Sequence, residues 1–217
     1  AIAALSRMTH RGGVAADGLT GDGCGLLIRK PDVFLRALAR EAGIALGDKA
    51  LFAAGLVFLP HEAGHAARCR QALEAEVAGA GAVFKGWRVV PTDDRVCGQL
   101  AKDTLPQVEQ LFVEAGEGQD AEAFTLALFL ARRRAEQALR DVPGDFYVVT
   151  LAPHAIGYKG MVLPDKLSTF FPDLQRSDLA ASAVVFHQRF STNTMPRWPL
   201  AHPFRLLAHN GEINTIE

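Results

Sequence analysis

The sequence predicts a protein of the α+β class, in which helices and mainly antiparallel strands occur together without regular alternation. Short apolar runs bounded by Gly or Pro are typical of strands, and several occur along the 217 residues. The long segment Ala121–Leu139 instead has Phe124, Leu128, Ala131 and Ala135 at helical spacing. Because neighbouring apolar runs follow one another across short turns, hairpins are favoured over a doubly wound parallel sheet.

The first half of the chain is predicted to begin with the end of a helix and a glycine-rich loop or tight hairpin. Strands and helices follow, each helix opened by a proline, and they include a strand–helix–strand unit of the crossover type. In chain order the elements are the helix end Ala1–His10, the loop Gly12–Gly25, the strand Cys24–Arg29, a helix from Pro31 at N1 to about Glu41 with apolar Val33, Phe34 and Leu38, the strand Leu51–Leu59, a helix from Pro60 to about Val77, and the strand Ala82–Val90.

In the second half, Thr104–Val113 is ambiguous between helix and strand. The remaining elements are the helix Ala121–Leu139 with Arg132–Arg134 on its solvent side, a hairpin of Phe146–Ala152 and Ala155–Met161 across Pro153 and His154, a short helix at Leu167–Phe171, and the buried strands Ala181–Gln188 and Phe204–His209. We find no internal repeat, no low-complexity linker and no domain boundary.

Composition excludes several classes of function. Hydrophobic residues make up 49% and charged residues 22%, and the net charge of −1 gives no reason to expect a nucleic-acid partner. No run of 18 apolar residues predicts a membrane span, and Ala1–Met8 lacks the charge order of a signal peptide. Three scattered cysteines suit neither a disulfide framework nor a zinc site, so we predict a reducing cytoplasm and no metal.

Both ends suggest a piece of a longer protein. Residue 1 is not Met and enters directly into an amphipathic pattern, and the turn at Asn210–Asn214 has no element after it. We therefore expect further chain on both sides.

One short motif matches the zinc-protease pattern. His61-Glu62-Ala63-Gly64-His65 would place two histidines on one helix face with Glu62 as a base. The match falls in the first turn after Pro60, and Gly64 lies inside it. A solvated helix start, where Glu62 suits the positive end of the helix dipole, is the favoured interpretation.

The loop Gly21–Gly25 resembles a nucleotide-binding fingerprint only superficially, because it leads into a strand and Asp17 and Asp22 lack EF-hand spacing. A glycine turn, or close approach of backbone to a ligand, explains it better. Cys24 in this loop could be a nucleophile, but no base is near it in sequence and free cysteines are usually buried.

Polar groups of high specificity cluster near the end of the chain. Arg189 follows a strand, where a guanidinium can bind a carboxylate through two hydrogen bonds, and Thr192 and Asn193 can add neutral ones. Asn210 and Gly211 follow the next predicted strand, and their amide and N–H groups could form an oxyanion hole. A surface salt bridge and an Asn-Gly hairpin turn are the alternatives, but together the groups indicate capture of a small zwitterion.

Five segments carry a resemblance to a known family. They are Thr9–Gly13, Asp17–Gly25, His187–Thr194, Pro196–Ala201 and His209–Thr215. They resemble the class II glutamine amidotransferase domain of the glutamate synthase large chain, of the N-terminal nucleophile hydrolase type. The resemblance runs along the whole chain, but residues 40–145 match only loosely.

The resemblance implies a four-layer α/β/β/α sandwich of two mainly antiparallel sheets, here as part of the domain. It implies hydrolysis of L-glutamine to glutamate and ammonia, which the parent enzyme passes to 2-oxoglutarate. Arg189 matches the arginine that holds the substrate α-carboxylate, with Thr192 and Asn193 beside it, and Asn210 and Gly211 match the oxyanion hole. Arg11 lies in the segment beside the nucleophile.

Two family features are not in this sequence. The nucleophile is an N-terminal cysteine whose α-amino group acts as the base, and Cys24 is not its counterpart. The acidic residue that binds the substrate α-amino group would lie beyond Glu217, so the chain alone is expected to be inactive. His202 stands where glutamate synthases usually carry Gln.

No cofactor is expected within this segment. For the parent enzyme the resemblance implies FMN and an iron–sulfur cluster, with either NADPH and FAD on a small reductase subunit or ferredoxin as the source of electrons. Two alternatives stay open, namely another class II amidotransferase and a non-enzymatic amino-acid-binding fragment that uses Arg189.

Overall fold

The computed structural model describes residues 1–48, 50–188 and 195–205. It belongs to the α+β class and contains two antiparallel sheets, which confirms the predicted class and agrees with a fold of the N-terminal nucleophile hydrolase type. The strands are β1 Cys24–Arg29, β2 Phe52–Leu59, β3 Val83–Val89, β4 Gln107–Glu114, β5 Tyr147–Thr150, β6 Ala155–Gly160 and β7 Val184–Gln188. The helices are α1 Ile2–Ser6, α2 Asp32–Glu41, α3 Ala63–Gly79, α4 Gln99–Asp103, α5 Ala121–Ala138 and α6 Leu167–Phe170, and short 3₁₀ turns lie at Thr9–Arg11, Asp94–Val96, Pro172–Gln175 and Trp198–Leu200.

The chain folds into two compact units whose segments alternate along the sequence. The first unit contains Ala1–Ile28, Pro91–Leu105 and the described residues from Gly157 onward, and the second unit contains Arg29–Val90 and Pro106–Ile156. The sequence shows no linker between them because the chain passes from one unit to the other within or next to strands β1, β3, β4 and β6.

The second unit is built on a four-stranded sheet with the order β3-β4-β2-β5. Both β2 and β3 pair antiparallel with β4, in registers that include Gly55 opposite Leu111 and Trp87 opposite Leu111, so β2 and β3 run parallel to each other. The predicted crossover over α3 is therefore confirmed, with β4 inserted between its two strands. All residues of β2 are buried, as a strand covered on both faces requires.

The core of the second unit lies between this sheet and helices α3 and α5. Phe124, Leu128, Ala131 and Ala135 are all fully buried, which confirms the helical spacing predicted for this segment. The Asp120 carboxylate accepts hydrogen bonds from the N–H groups of Glu122 and Ala123 and so caps α5. On the opposite side of α5, Arg133 and Arg134 are exposed and Arg132 is half-buried.

The first unit is built on a three-stranded sheet with the order β6-β1-β7. β1 and β7 are antiparallel, with Cys24 opposite Gln188 and Gly25 opposite His187. Before β1, the glycine-rich segment closes as a tight loop through a bridge between Val14 and Gly21. The prediction of a loop or tight hairpin at this place is confirmed.

Several boundaries and pairings differ from the predictions. The hairpin of β5 and β6 is wrong, because β5 pairs with β2 while β6 belongs to the other sheet. Pro31 is the N-cap of α2 and not its first residue, and Val33 is 76% exposed. The strand predicted as buried at Ala181–Gln188 is β7, which is only half-buried, with Val185 exposed.

Two further predictions are decided in other ways. The ambiguous segment Thr104–Val113 contains most of strand β4. The strand predicted at Phe204–His209 lies mostly outside the described residues. Within the described part of the chain, no helix has the length and apolar character needed to cross a membrane.

Candidate active site

Most of the predicted site residues lie outside the described residues. These are Arg189, Thr192, Asn193, Asn210 and Gly211. Arg11 is described, ends the 3₁₀ turn Thr9–Arg11, and has an exposed side chain. The structure therefore describes the elements that lead into the predicted site and the segment that separates its two halves.

The segment that contains Arg11 lies against the end of β7. A Cβ atom placed on Gly12 would be only 1.7 Å from Nε2 of Gln188 and 3.0 Å from Oδ1 of Asp22, so a larger residue at position 12 would displace them. Gln188 is the last residue of β7 and directly precedes Arg189. The structure thus brings together two of the segments that carry the resemblance.

The carboxylates of the glycine-rich loop bind backbone groups. Oδ2 of Asp22 accepts the N–H of Gly13 at 2.9 Å. The Asp17 carboxylate accepts the Thr20 hydroxyl at 2.5 Å and the N–H groups of Thr20 and Leu100 at 2.8 and 3.2 Å. The bond from the Thr20 hydroxyl, followed by these N–H groups, lowers the pKa of Asp17. These contacts stabilise the loop and hold α4 against it.

No metal centre is found among the residues that the structure describes, since they contain no group of three or more His, Cys, Asp or Glu side chains placed to hold an ion. At the zinc-protease motif, His61 lies before helix α3 and Glu62 is its N-cap, accepting the N–H groups of Gly64 at 2.9 Å and His65 at 2.6 Å. The two histidines therefore do not share a helix face. The solvated helix start is the correct interpretation of this motif.

Cys24 is a structural residue. It is fully buried, and its thiol donates a hydrogen bond to the carbonyl oxygen of Val162 at 3.2 Å. Burial, together with the charge of Asp22, raises the pKa of this thiol far above its usual value, so the thiolate is disfavoured. Cys69 and Cys97 are buried as well, and burial raises the pKa of Cys97 to about 11.

Residues 195–205, here called the Trp198 segment, connect the two halves of the predicted site in sequence. The indole of Trp198 is fully buried and donates to the carbonyl oxygen of Ala101 at 3.1 Å. Its ring lies over Gly160, where an added Cβ would be 2.4 Å from the ring. Nζ of Lys159 donates to the carbonyl oxygen of Pro199 at 2.7 Å.

Two histidine rings stack where this segment contacts strand β7. The rings of His187 in β7 and His202 are stacked with centroids 4.5 Å apart, and Phe204 packs edge-on against His202 at the same distance. The strand that precedes Arg189 is thus joined to the Trp198 segment by direct ring contact.

Sequence reasoning missed two buried polar residues of the first unit. Lys159 is 1% exposed, and Gln188 is 5% exposed with an Oε1 that accepts no hydrogen bond from the described residues. A lysine inside the apolar run Ala155–Met161 was the available signal, because charged residues are almost never fully buried without a role. Gln188 carries no comparable signal, since it stands at a strand end.

The fold and these segments define a class. The chain belongs to the class II glutamine amidotransferase family, since the family described as "Glutamine amidotransferases class-II" matches residues 1–217.

The chain is similar to several glutamate synthases. It is 43% identical over 220 residues to the glutamate synthase [NADPH] large chain of Azospirillum brasilense, and 37% identical over 213 residues to that of Bacillus subtilis (strain 168). It is also 37% identical over 219 residues to the chloroplastic ferredoxin-dependent glutamate synthase of Oryza sativa subsp. japonica. These alignments cover 100%, 98% and 100% of this chain but only 14% of each relative, so the chain spans a small part of their length.

Proposed function

We propose that this chain is the glutamine-hydrolysing part of a glutamate synthase. In this reaction glutamine and water give glutamate and ammonia, and the ammonia passes to 2-oxoglutarate elsewhere in the full-length protein. The observation that carries the proposal is the family match over residues 1–217, combined with similarity to glutamate synthases at 36–43% identity.

The substrate is proposed to be held by the residues that follow β7. The Arg189 guanidinium binds the glutamine α-carboxylate through two parallel hydrogen bonds, and Thr192 and Asn193 add neutral ones. The Asn210 amide and the Gly211 N–H donate to the oxygen that becomes negative when the carboxamide is attacked. Arg11 is assigned to the wall beside the nucleophile, which the contact between Gly12 and Gln188 supports.

The proposed nucleophile is the N-terminal cysteine of the family, which is not a residue of this chain. The three cysteines that are present, Cys24, Cys69 and Cys97, are all buried and their thiol pKa values are raised. A raised pKa removes the thiolate that a nucleophile requires. Their burial therefore supports a nucleophile from outside these residues.

The described residues do not fit an iron–sulfur cluster, because they provide no group of three or more ligating side chains. We assign no step in this part of the protein to iron or flavin. The names of the relatives include both NADPH and ferredoxin. We assign FMN, the cluster and the electron donor to the full-length enzyme.

Glutaminase assays on the full-length protein test this proposal. Arg189→Lys keeps the charge but loses the two-bond geometry, so KM for glutamine should rise at least about tenfold. Asn210→Ala should lower kcat by about 100- to 1000-fold with a smaller change in KM, as expected for an oxyanion donor.

Arg133→Lys, on the exposed side of α5, is the matched control and should leave both constants unchanged. Absence of glutamine hydrolysis in the unmodified protein, or an Arg189→Lys variant with unchanged KM, would refute the proposed function.

A further inference from the structure

Lys159 is the most unusual residue of the first unit that the proposed chemistry does not use. It lies in β6, where all residues are buried, and its own side chain is 1% exposed. Removing an amino group from water is costly unless it is hydrogen-bonded, so a lysine in this position must make contacts that compensate.

Its described contacts converge on one segment of chain. Nζ donates to the carbonyl oxygen of Pro199 at 2.7 Å and lies 4.4 Å from the centroid of the Phe204 ring. The other side of the lysine stem is fixed by β1, because an added Cβ on Gly25 would be 2.5 Å from Cβ of Lys159. The side chain therefore extends from the sheet to the Trp198 segment.

The Trp198 segment is held by three contacts at two successive residues, Trp198 and Pro199. Ala101 accepts the indole N–H of Trp198, Gly160 leaves room for the ring, and Lys159 binds the carbonyl of the next residue, Pro199. Phe204, the second contact of Lys159, lies six positions before Asn210 in the sequence. At its other end, the Trp198 segment begins at residue 195, a few positions after Arg189. Lys159 thus acts on the chain that leads from the proposed carboxylate site to the proposed oxyanion hole.

We propose that Lys159 is a positioning residue for glutamine hydrolysis. By fixing Pro199 and Phe204, it holds the Trp198 segment, which lies in the sequence between Arg189 and the proposed oxyanion-hole residues Asn210 and Gly211. In this role Lys159 acts through the chain that it holds and exchanges no proton. The inference rests on the proposed function, because it assigns a purpose to Lys159 only through Asn210 and Gly211.

A purely structural role predicts a different result. A lysine that only stabilises the core would change the amount of folded enzyme and leave the kinetics of folded molecules unchanged. A positioning residue for the oxyanion hole changes kcat in folded molecules and leaves glutamine binding nearly intact. The division of the effect between kcat and KM therefore separates the two.

Lys30 provides a matched control in the second unit. Its Nζ donates to the carbonyl oxygen of Phe52 at 2.9 Å and lies 3.4 Å from the Phe52 ring centroid, so it makes the same two kinds of contact. It has no described contact with the Trp198 segment. Lys30→Met removes an equivalent pair of contacts in the second unit, together with an ion pair to Asp32 at 3.1 Å.

The test measures glutaminase kcat and KM, per folded active enzyme, in the full-length protein. Lys159→Met should lower kcat by about 10- to 100-fold while KM for glutamine changes less than about threefold, because small displacements of catalytic groups cost this much. Lys159→Arg keeps an N–H donor to the Pro199 carbonyl oxygen and should recover part of kcat. Lys30→Met should leave both constants as in the unmodified enzyme.

Phe204→Leu keeps the lysine and removes only the ring, so it tests the inference even if Lys159→Met does not fold. It should give a smaller loss of kcat with KM again unchanged. Wild-type kcat in folded Lys159→Met or in Phe204→Leu would overturn the inference, and so would equal losses in the Lys30→Met control. An unmodified enzyme that hydrolyses no glutamine would overturn the proposed function instead, and these outcomes are distinct.

Discussion

The two units of the chain use buried polar groups in different ways. In the second unit, the buried Glu109 forms an ion pair with Arg70 and so joins strand β4 to helix α3. In the first unit, the buried Thr20 and Lys159 bind backbone groups of Ala101 and Pro199 instead. Among these buried groups, the ion pair of the second unit joins two regular elements, whereas Thr20 and Lys159 of the first unit bind single backbone groups.

This contrast agrees with where the resemblance is specific. The motif segments, from Thr9–Gly13 to Pro196–Ala201, fall in the first unit as far as they are described. Residues 40–145, which are expected from their motifs to match the family only loosely, fall mostly in the second unit. An apolar core accepts many sequences of suitable size and pattern, but a hydrogen bond to one carbonyl group does not.

The largest expected effect is in the regular unit. Phe124→Ala should lower the opening free energy of α5 and β2 by about 3–5 kcal/mol, because it leaves a cavity in the core. Amide hydrogen exchange of these elements in the full-length protein measures this change. Leu126→Ala, 57% exposed on the same helix, should change it by less than about 0.5 kcal/mol. Equal effects at the two positions would show that periodicity does not specify this unit.

The next effect concerns a close approach in the first unit. Gly160→Ala should destabilise β6 by about 1–3 kcal/mol, because the added Cβ would lie 2.4 Å from the fully buried Trp198 ring. Gly79→Ala at the end of α3 meets no atom within 4 Å and should be neutral or stabilising by up to about 1 kcal/mol. Hydrogen exchange of β6 and α3 compares the two, and a tolerated Gly160→Ala would contradict the description of the Trp198 segment as tightly held.

A hydroxyl group gives a smaller effect. Thr20 is buried, donates to Asp17 and accepts the N–H of the buried Ala101 at 3.2 Å. Thr20→Val should cost about 1–2 kcal/mol in the opening of α4, because that N–H loses its acceptor. Thr125→Val removes an exposed hydroxyl bond within α5 and should cost less than about 0.5 kcal/mol. If both substitutions lower the opening free energy equally, buried hydroxyl groups do not fix the loops of the first unit as described.

The smallest expected effect is a dependence on pH. Burial lowers the pKa of Lys159 well below its usual value of about 10.4, so above that lowered pKa the unfolded chain binds a proton that the folded chain does not. The free energy of unfolding should therefore rise with pH and level off above about pH 10. Lys159→Met should remove this slope, as measured by pulse proteolysis of the full-length protein across the alkaline range.

Lys30→Met should change the slope less. Burial also lowers the pKa of Lys30, but its hydrogen bond to Asp32 acts in the opposite direction. A steeper loss of slope in the Lys30 variant would reverse the expected order.

The sequence predicts the bounds of helices and strands better than it predicts which strands pair. The bounds of β1, β2 and α5 agree within about one residue with the predictions, because apolar runs and helical spacing are local signals. The predicted β5–β6 hairpin is wrong, because two strands that are neighbours in the sequence need not pair. Instead, β5 pairs with β2 at the edge of the four-stranded sheet. The start of α3 was wrong because Glu62, and not Pro60, supplies the side-chain oxygen that caps it.

For the candidate site too, the sequence predicts individual residues but not their long-range contacts. Arg189, Thr192, Asn193, Asn210 and Gly211 are proposed from motif and chemistry and stay predictions of the sequence. The contacts of Lys159 with Pro199 and of Trp198 with Ala101 join residues 40 and 97 positions apart. No periodicity or spacing rule reports contacts over such separations, and only the fold reveals them.

The alternation of the two units along the chain also sets an order of synthesis. All residues of the second unit have left the ribosome's peptidyl-transferase centre once Ile156 has been added, whereas the first unit still lacks every residue from Gly157 onward. Strand β1 must therefore wait for its partner β7. Cys24 pairs with Gln188, which is more than 150 positions later along the chain. Such late, long-range pairing is slow and leaves strand edges exposed, so the nascent first unit is expected to need protection by chaperones more than the second unit does.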